Sequence, residues 1–281
     1  MVLVLWRALS QCAGGRHRSA KTHTLRDARK LALFPSVTNI LGVIAKPELI
    51  AWLQEQAVMA ALTLPRIAGE PEDAFARRVV ADSLTTRDGA ADFGTAFHHG
   101  AERVAQTGEV DPNDPLAPWL NLFRDWFKAN VVICHWTERT LIHPALGYGG
   151  TADMLVEIKG KGLCLLDLKT QNVKSASGPS TYKSWGYQLA AYRKALLLSA
   201  DICAFGRQPV TCMNLIMNSR EAHPPVEAPW SETEMERCWT AFEAARQLWI
   251  VEKNFDPCAS RTGASSPAAA AGGKNEIVLT A

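Results

Sequence analysis

The sequence lacks any long hydrophobic stretch, since no run of about 18 consecutive apolar residues occurs in its 281 residues. The apolar run at residues 1–7 is too short for a signal peptide or a membrane helix. Residues 1–26 contain several Arg and Ser and no acidic residue, a composition that a transit peptide also has. We favour a bacterial or phage protein in the cytoplasm, with no membrane partner.

Patterned cysteines are also absent. The chain has seven cysteines, an odd number, and no two of them form a C-x-x-C pair. This argues against a disulfide framework or a zinc site and indicates a reducing compartment. The cysteines are Cys12, Cys134, Cys164, Cys203, Cys212, Cys238 and Cys258.

A strong excess of charge of either sign is missing as well. The 30 basic residues nearly balance the 28 acidic ones, and the net charge is +2. Bulk charge therefore does not predict a nucleic-acid binder, and any DNA contact has to come from local basic patches. Lysines in such patches are equally consistent with a solvated surface.

What the sequence does contain favours one globular domain. Apolar residues make up 47% of the chain, nine residues are tryptophan, and no internal repeat is evident. Length alone would permit two domains. We predict one domain over residues 22–257, after a loosely ordered N-terminus at 1–21 and before a flexible tail rich in Ala, Gly and Ser at 258–281.

Residues 149–170 predict a β-hairpin. Its flanks are rich in Leu, Val, Ile and Met, and the Lys-Gly-Lys-Gly sequence between them suits a turn. A loop with an odd number of residues centred on Gly160 would put Asp153 opposite Asp167, with Cβ atoms roughly 5 Å apart and Lys169 on the same face. An even loop would put the two aspartates on opposite faces unless a β-bulge restored the register.

This hairpin indicates metal-dependent phosphodiester hydrolysis. Two carboxylates so close repel each other, and bound Mg²⁺ or Mn²⁺ would remove that cost, polarise a phosphodiester and lower the pKa of a bound water. Lys169 would supply positive charge where negative charge develops. However, an acid-x-Lys triplet also arises by chance, and residues 157–159 are a second one. Exposed strand edges also carry Asp and Lys as protection against aggregation.

Two predicted helices accompany the hairpin. Residues 187–196 have helical composition and period, with Gln188 and Tyr192 on one face. Residues 92–102 predict another helix, in which His98 and Glu102 share a face next to an apolar stripe. Taken singly, such residues are more often surface or core positions than functional ones, so their order along the chain carries the signal.

Together these motifs resemble a known family. The series is Pro35-Ser36-Val37-Thr38, Gly94-Thr95-x-x-His98, Gly150-x-x-Asp153, Asp167-x-Lys169-Thr170 and Gln188-x-x-x-Tyr192. It resembles the RecB-like branch of the PD-(D/E)xK nuclease superfamily, and it is more closely similar to phage and bacterial exonucleases related to the mitochondrial genome maintenance exonuclease. The resemblance covers about residues 22–250. Ala152 stands where the motif name places a proline, a change that this branch tolerates.

The resemblance implies an α/β fold with a restriction-endonuclease-like core, a central mixed β-sheet flanked by helices. It implies Mg²⁺ or Mn²⁺, held by His98, Asp153, Asp167 and the backbone carbonyl of Leu168. The catalytic residues that it implies are Asp153, Asp167, Lys169, Gln188 and Tyr192. Some relatives hold an iron–sulfur cluster with a late group of three cysteines, which is missing here, so we expect no cluster.

An imidazole ligand would favour Mn²⁺, because Mg²⁺ prefers oxygen. His98 and His99 point about 100° apart on a helix, so only one of them can face the metal, and the motif selects His98. Glu102, one turn further on, is a candidate hydrogen-bond acceptor for the imidazole. Glu138, on the strand predicted before the hairpin, could border the site or form a salt bridge with Arg139 or a lysine of the turn.

Candidate DNA contacts lie near these motifs. Ser36 or Thr38 is a natural N-cap, and a helix N-terminus with hydroxyl groups can also bind a phosphate. Tyr182 and Trp185 could stack on unpaired bases, although the core is the commoner place for a tryptophan. The predicted DNA-binding residues are Ser36, Thr38, Thr170, Lys174, Tyr182 and Trp185.

We therefore expect a metal-dependent exonuclease for single-stranded or end-containing DNA, acting in phage or bacterial recombination, repair or replication. One alternative is a structure-specific flap endonuclease. Another is a DNA-binding recombination accessory protein without turnover. DNA is the expected partner, and a phage or host recombination or replication protein is a candidate second partner.

Overall fold

The computed structural model describes residues 5–7, 25–31, 33–173, 178–199, 202, 205 and 208–259. Lys174 and the predicted tail beyond residue 259 lie outside the described residues. Within the N-terminus that we expected to be loosely ordered, Leu5–Arg7 forms a short strand that pairs with Leu33–Pro35. The rest of that N-terminal segment lies outside the described residues.

The described chain contains seven helices and seven strands with defined bounds. In order they are β1 (Leu5–Arg7), α1 (Leu25–Leu31), β2 (Leu33–Pro35), α2 (Val37–Leu41), α3 (Pro47–Thr63), α4 (Glu72–Thr107), α5 (Ala117–Asn130), β3 (Val131–His143), β4 (Tyr148–Ile158), β5 (Gly162–Gln171), α6 (Lys183–Leu196), β6 (Thr211–Asn218), β7 (Val226–Trp230) and α7 (Glu232–Lys253).

Strands β3 to β7 form one five-stranded mixed sheet in the order β3-β4-β5-β6-β7. Strands β5 and β6 run parallel, and α6 lies between them in the sequence. The other neighbouring pairs are antiparallel. This confirms the prediction of an α/β fold with a central mixed sheet flanked by helices, as in a restriction-endonuclease-like core.

An apolar layer covers each face of this sheet. On one face, α2, α6 and α7 pack on residues such as Leu155 and Leu165. On the other face, α4 and α5 pack on residues such as Met154 and Leu166. Because successive side chains of a strand point to opposite faces and both faces are covered here, β4 and β5 each contain a continuous apolar segment, Met154 to Val156 and Leu163 to Leu166. Asp153 and Asp167 directly border these segments.

The β4–β5 hairpin has the odd register. Met154 pairs with Leu166, and three residues centred on Gly160 form the turn. Gly160 has a φ of 72°, a left-handed conformation that glycine adopts without strain. The next residues in this register are Asp153 and Asp167, so the two aspartates fall opposite each other and the even loop is excluded.

Helix α4 is longer than the sequence indicated, since the predicted helix around His98 lies within a continuous helix of 36 residues. Two glycines let this helix approach its neighbours closely. A Cβ on Gly100 would lie 2.7 Å from Leu120 Cδ2, and one on Gly94 would lie 3.1 Å from Thr170 Oγ1. Since His98 lies between these two glycines, close packing against α5 and β5 brings it to the sheet.

The helices that flank the sheet bury one side against it and expose the other. In α7, for example, Phe242 and Trp249 lie in the core, and a capping box formed by Ser231 and Glu234 begins the helix. Among the described residues, no helix combines the length and the apolar composition that crossing a membrane demands.

Candidate metal centre

A row of polar side chains crosses four neighbouring strands of the sheet. Asp167 on β5 is the register partner of Asn214 on β6. Asp153 follows the last paired residue of β4, and Glu138 on β3 stands opposite Asp153 because the pairs on either side keep one register. We call these four residues, Glu138, Asp153, Asp167 and Asn214, the polar row.

Asp153 lies where the backbone pairing of β4 with β5 ends. Its Oδ2 accepts a 2.7 Å hydrogen bond from the backbone N–H of Leu168, so the side chain replaces a strand partner. The Nδ1 atom of His98 is 3.6 Å from the same oxygen. His99 is exposed, so His98 is the histidine that meets the polar row.

His98, Glu138 and Asp153 form a group that can hold a metal ion. Each offers one ligand atom, and these three atoms lie within 4.8 Å of one another. Glu138 has a φ of 46°, a left-handed conformation that costs a non-glycine residue about 1–3 kcal/mol. We expected Glu138 either to border the site or to form a salt bridge, and the structure places one of its carboxylate oxygens among the candidate ligand atoms.

The electrostatics of this group favour a bound cation. The pKa of Asp153 is raised well above its usual range, first by burial and then by the negative charge of Asp167. The pKa of His98 is lowered, again first by burial and then by the positive charge of Lys169. A neutral imidazole can bind a metal, and a cation would relieve the cost of ionising the Asp153 carboxyl group.

Asp167 is buried, with 2% of its surface exposed, and its two oxygens have different surroundings. Oδ2 lies 2.6 Å from Lys169 Nζ and accepts a 2.6 Å hydrogen bond from Asn214 Nδ2. Oδ1 is buried and has no hydrogen-bond partner among the described residues. Buried polar atoms are rarely left unpaired, so this orphaned oxygen beside other candidate ligands fits a divalent cation.

Hydrogen bonds lead from Lys169 to helix α6. Lys169 Nζ donates to Gln188 Oε1 at 3.4 Å, and Gln188 Nε2 donates to the Tyr192 hydroxyl at 3.2 Å. The Tyr192 ring packs on Gly150, where a Cβ would approach its Cε1 atom to 2.7 Å. Lys169, Gln188 and Tyr192, three of the residues that we predicted to be catalytic, are therefore brought together beside Asp167.

Glu102 contacts a strand and not the imidazole. Its Oε1 accepts hydrogen bonds from Gln106 Nε2 at 3.1 Å and from Thr137 Oγ1 at 3.4 Å. In the described part of the chain, no hydrogen bond joins Glu102 to His98. Because Thr137 precedes Glu138, Glu102 steadies the strand that carries a candidate ligand, which corrects its expected role beside the histidine.

The predicted phosphate contacts near the N-terminus differ in exposure. Ser36 is the N-cap of α2 and 5% exposed, and its hydroxyl already contacts Asn39 N at 3.1 Å and Thr38 Oγ1 at 3.0 Å. The Ser36 hydroxyl therefore caps the N-terminus of α2. Thr38 is exposed and is the better placed of the two for a phosphate.

Tyr182 and Trp185 form an aromatic pair at the start of α6. Their ring centroids are 4.9 Å apart and their planes are at 87°. Tyr182 is 44% exposed, and Trp185 is half-buried. Gln188 follows three residues after Trp185, so one helix carries both this pair and part of the candidate site.

Sequence analysis missed Asn214, which is fully buried on β6. Besides its contact with Asp167, its Oδ1 accepts a 2.7 Å hydrogen bond from the indole N–H of Trp230. A signal for it exists, because an asparagine interrupts the apolar middle of β6 and a buried amide requires hydrogen-bond partners.

No protein-family model and no curated protein sequence matches the chain. Among solved structures, the chain is similar to a Eubacterium rectale protein provisionally named an exonuclease, at a TM-score of 0.42 and 10% identity, over 94% of this chain and 97% of that one. It is also similar to the protein SSO0001 at a TM-score of 0.30 and 10% identity, over 76% of this chain and 95% of that one. Both TM-scores are low, so the chemistry of the site depends on this chain's own side chains.

Proposed function

We propose that this protein is a metal-dependent nuclease that hydrolyses DNA phosphodiester bonds, acting as an exonuclease on single-stranded or end-containing DNA. The observation that carries the proposal is the approach of His98, Glu138 and Asp153 to within 4.8 Å, beside the buried pair of Asp167 and Lys169. Carboxylate oxygens with one imidazole nitrogen suit Mn²⁺ or Mg²⁺.

The side chains that would hold the cation are His98, Glu138, Asp153 and Asp167. The backbone carbonyl of Leu168 is a further candidate, because the backbone of Leu168 contacts both Asp153 and His98. When bound, the cation supplies the charge that polarises the phosphodiester and lowers the pKa of a bound water.

Lys169 supplies positive charge to the reacting phosphate. Its ammonium group lies 2.6 Å from Asp167 Oδ2 and 3.4 Å from Gln188 Oε1. An ammonium group has three N–H donors, so these two acceptors leave one donor for a phosphate oxygen. The same charge stabilises the negative charge that develops on the phosphate during hydrolysis.

Gln188 and Tyr192 orient Lys169 and close the site over the DNA backbone. Burial raises the pKa of the Tyr192 hydroxyl, so it stays protonated and can donate a hydrogen bond. Because Gln188 Nε2 donates to the Tyr192 oxygen, the hydroxyl proton is directed elsewhere and can reach a phosphate oxygen.

The exposed ring of Tyr182 supports single-stranded DNA as the substrate. Aromatic rings stack on unpaired bases with about 1–3 kcal/mol per base, an interaction that paired bases inside a duplex do not offer. Tyr182 precedes Gln188 by six residues, or about 9 Å along a helix axis, which is near enough to hold a nucleotide next to the scissile bond. The other proposed DNA contacts are Thr38, Thr170, Lys174 and Trp185, whereas the hydroxyl of Ser36 is engaged within α2.

The test is cleavage of end-labelled single-stranded DNA by the purified chain, first treated with a chelator and then given Mn²⁺ or Mg²⁺. We expect products only after the cation is added, and none from Asp153→Asn. DNA binding without cleavage under every metal condition would contradict the nuclease and support an accessory protein. A covalently closed single-stranded circle should stay intact, whereas cutting of the circle would indicate an endonuclease.

A further inference from the structure

Asn214 stands at the end of the polar row, between Asp167 and the outer strand β7. Its Nδ2 donates to Asp167 Oδ2 at 2.6 Å, and its Oδ1 accepts from Trp230 Nε1 at 2.7 Å. Trp230 is the strand partner of Cys212, two residues before Asn214. This is a diagonal position from which a long side chain reaches the neighbouring strand.

The chemistry of the two partners fixes the orientation of the Asn214 amide. An indole nitrogen only donates, so the amide atom that faces Trp230 has to be the oxygen. The amide nitrogen then faces Asp167 and donates to it. The tryptophan therefore determines that Asp167 meets a hydrogen-bond donor and not a second oxygen.

This orientation determines what the two oxygens of Asp167 can do. Oδ2 is held by the Asn214 amide and by the Lys169 ammonium group. Held on that side, the carboxyl group cannot rotate freely about its terminal bond. Oδ1, which is buried without a hydrogen-bond partner among the described residues, stays in place as the unused acceptor.

Trp230 is itself confined by helix α6. A Cβ on Gly186 would lie 2.8 Å from two carbons of the Trp230 ring, so the ring lies directly against the helix backbone. Gly186 is two residues before Gln188, which contacts Lys169. The indole therefore cannot move toward the helix that closes the site.

We propose that Trp230 and Asn214 are positioning residues of the nuclease site: the indole N–H fixes the Asn214 amide, and the amide fixes Asp167 so that one carboxylate oxygen is kept for the cation. This inference rests on the proposed function, because it requires Asp167 to help hold the metal. A purely structural hydrogen bond would change stability alone. A positioning role changes the affinity for the ion as well.

Two variants and a matched control separate these roles. Trp230→Phe removes the N–H and keeps an aromatic ring, and Asn214→Leu removes both hydrogen bonds at similar volume. Trp126→Phe is the control, because it also removes one indole hydrogen bond to a side-chain oxygen, the 3.0 Å bond to Glu227 Oε1. Glu227 also pairs with Lys161 in the hairpin turn, and as the strand partner of Leu215 it lies on the sheet face opposite to that of Asn214.

The readouts are the dissociation constant for Mn²⁺ without DNA, measured by calorimetry, and the Tm of the metal-free protein. We expect the constant to rise about 10-fold or more in Asn214→Leu and a few-fold in Trp230→Phe, with Trp126→Phe unchanged. A folded Trp230→Phe with wild-type Mn²⁺ affinity overturns the inference, whatever its Tm. That variant alone decides the matter if Asn214→Leu does not fold.

DNA cleavage by the wild-type chain, assayed in parallel, separates two kinds of failure. A wild type that binds Mn²⁺ and cleaves DNA, with variants of equal Mn²⁺ affinity, contradicts the positioning role alone. A wild type that neither binds Mn²⁺ nor cleaves DNA contradicts the proposed function itself.

Discussion

The two ends of the β4–β5 hairpin carry the same three-residue pattern, an acid, an apolar residue and a lysine. Near the turn, the charged side chains of residues 157–159 contact nearby groups. Glu157 Oε1 lies 3.2 Å from His135 Nε2, and Lys159 Nζ donates to a backbone carbonyl at 2.6 Å. At the open end, the buried carboxylate of Asp167 pairs with the half-buried ammonium group of Lys169, and one carboxylate oxygen has no hydrogen-bond partner in the described structure.

The difference between the two ends lies in what surrounds each pattern. The turn is closed by its own backbone and by contacts with the last residues of α5, so its charged groups find partners locally. At the open end, the pairing of β4 with β5 stops, and side chains from β3, α4 and α6 converge on the gap. A common sequence pattern thus becomes a candidate active site only where distant elements bury it.

The largest expected effect separates the two patterns directly. Asp167→Ala and Lys169→Ala should each lower the rate of DNA cleavage by at least about 10²–10³-fold, because each removes a charge that acts on the metal or the phosphate. Glu157→Ala and Lys159→Ala should stay near wild type. Steady-state rates on labelled DNA measure this, with circular dichroism to verify the fold. Equal losses at both ends would mean that the open end has no special role.

A second comparison uses one glycine from each end. Gly150→Ala would place a Cβ 2.7 Å from the Tyr192 ring and should lower the cleavage rate roughly 10-fold or more, because the closing residues are displaced. Gly160→Ala meets open space but keeps a φ of 72°, so it should cost about 1 kcal/mol of stability and leave cleavage unchanged. Cleavage rates and urea unfolding test both, and normal cleavage by Gly150→Ala would argue against the role of Tyr192.

At a pH above the folded-state pKa of Asp153, where the carboxyl group is ionised, removing its charge should stabilise the metal-free protein. Asp153→Asn keeps an oxygen that can accept from Leu168 N and removes the repulsion by Asp167, so we expect a gain of about 1 kcal/mol, or roughly 2–4 °C in Tm. Cleavage should be lost at the same time. Glu157→Gln is the matched change near the turn and should leave Tm almost unchanged. A lower Tm for Asp153→Asn would show that the carboxylate is stabilising as it stands.

The smallest expected effect is that the increase in Tm caused by Mn²⁺ depends on pH. Because the folded-state pKa of Asp153 is raised, its contribution to stability is fully present below the unfolded value of about 4 and is lost as the pH rises through the folded value. The cation binds the ionised carboxylate, so the increase in Tm caused by Mn²⁺ should grow over the same range. Thermal melts at several pH values measure it, and Asp153→Asn should show a flatter profile. If the increase in Tm caused by Mn²⁺ becomes smaller as the pH rises, the assigned direction of the Asp153 pKa shift is wrong.

The hairpin and its acids could be predicted from the sequence because local rules determine them. The glycines predict a turn near Gly160, which allows a loop with an odd or an even number of residues between the two strands. Because strand side chains alternate between faces, Asp153 and Asp167 then lie either opposite each other or on opposite faces. The i, i+4 spacing likewise placed Gln188 beside Tyr192, as the structure has it. The domain limits at residues 22 and 257 stay predictions.

The rest of the site depends on contacts between distant parts of the chain. Asn214 is 47 residues from Asp167, and only the order of strands in the sheet makes them neighbours. Glu138 meets Asp153 through the β3–β4 register, which two irregularities shift. The i, i+4 spacing on the helix predicted a hydrogen bond between Glu102 and His98. The Glu102 carboxylate instead contacts Thr137 on β3.

Anomalous diffraction from crystals of the wild-type chain grown with Mn²⁺ tests the central claim most directly. We predict an anomalous peak at the polar row, with His98, Glu138 and Asp153 as ligands and Asp167 Oδ1 turned toward the ion. A crystal that holds Mn²⁺ only elsewhere, such as beside Glu157 and His135, with the polar row free of anomalous density, would contradict it.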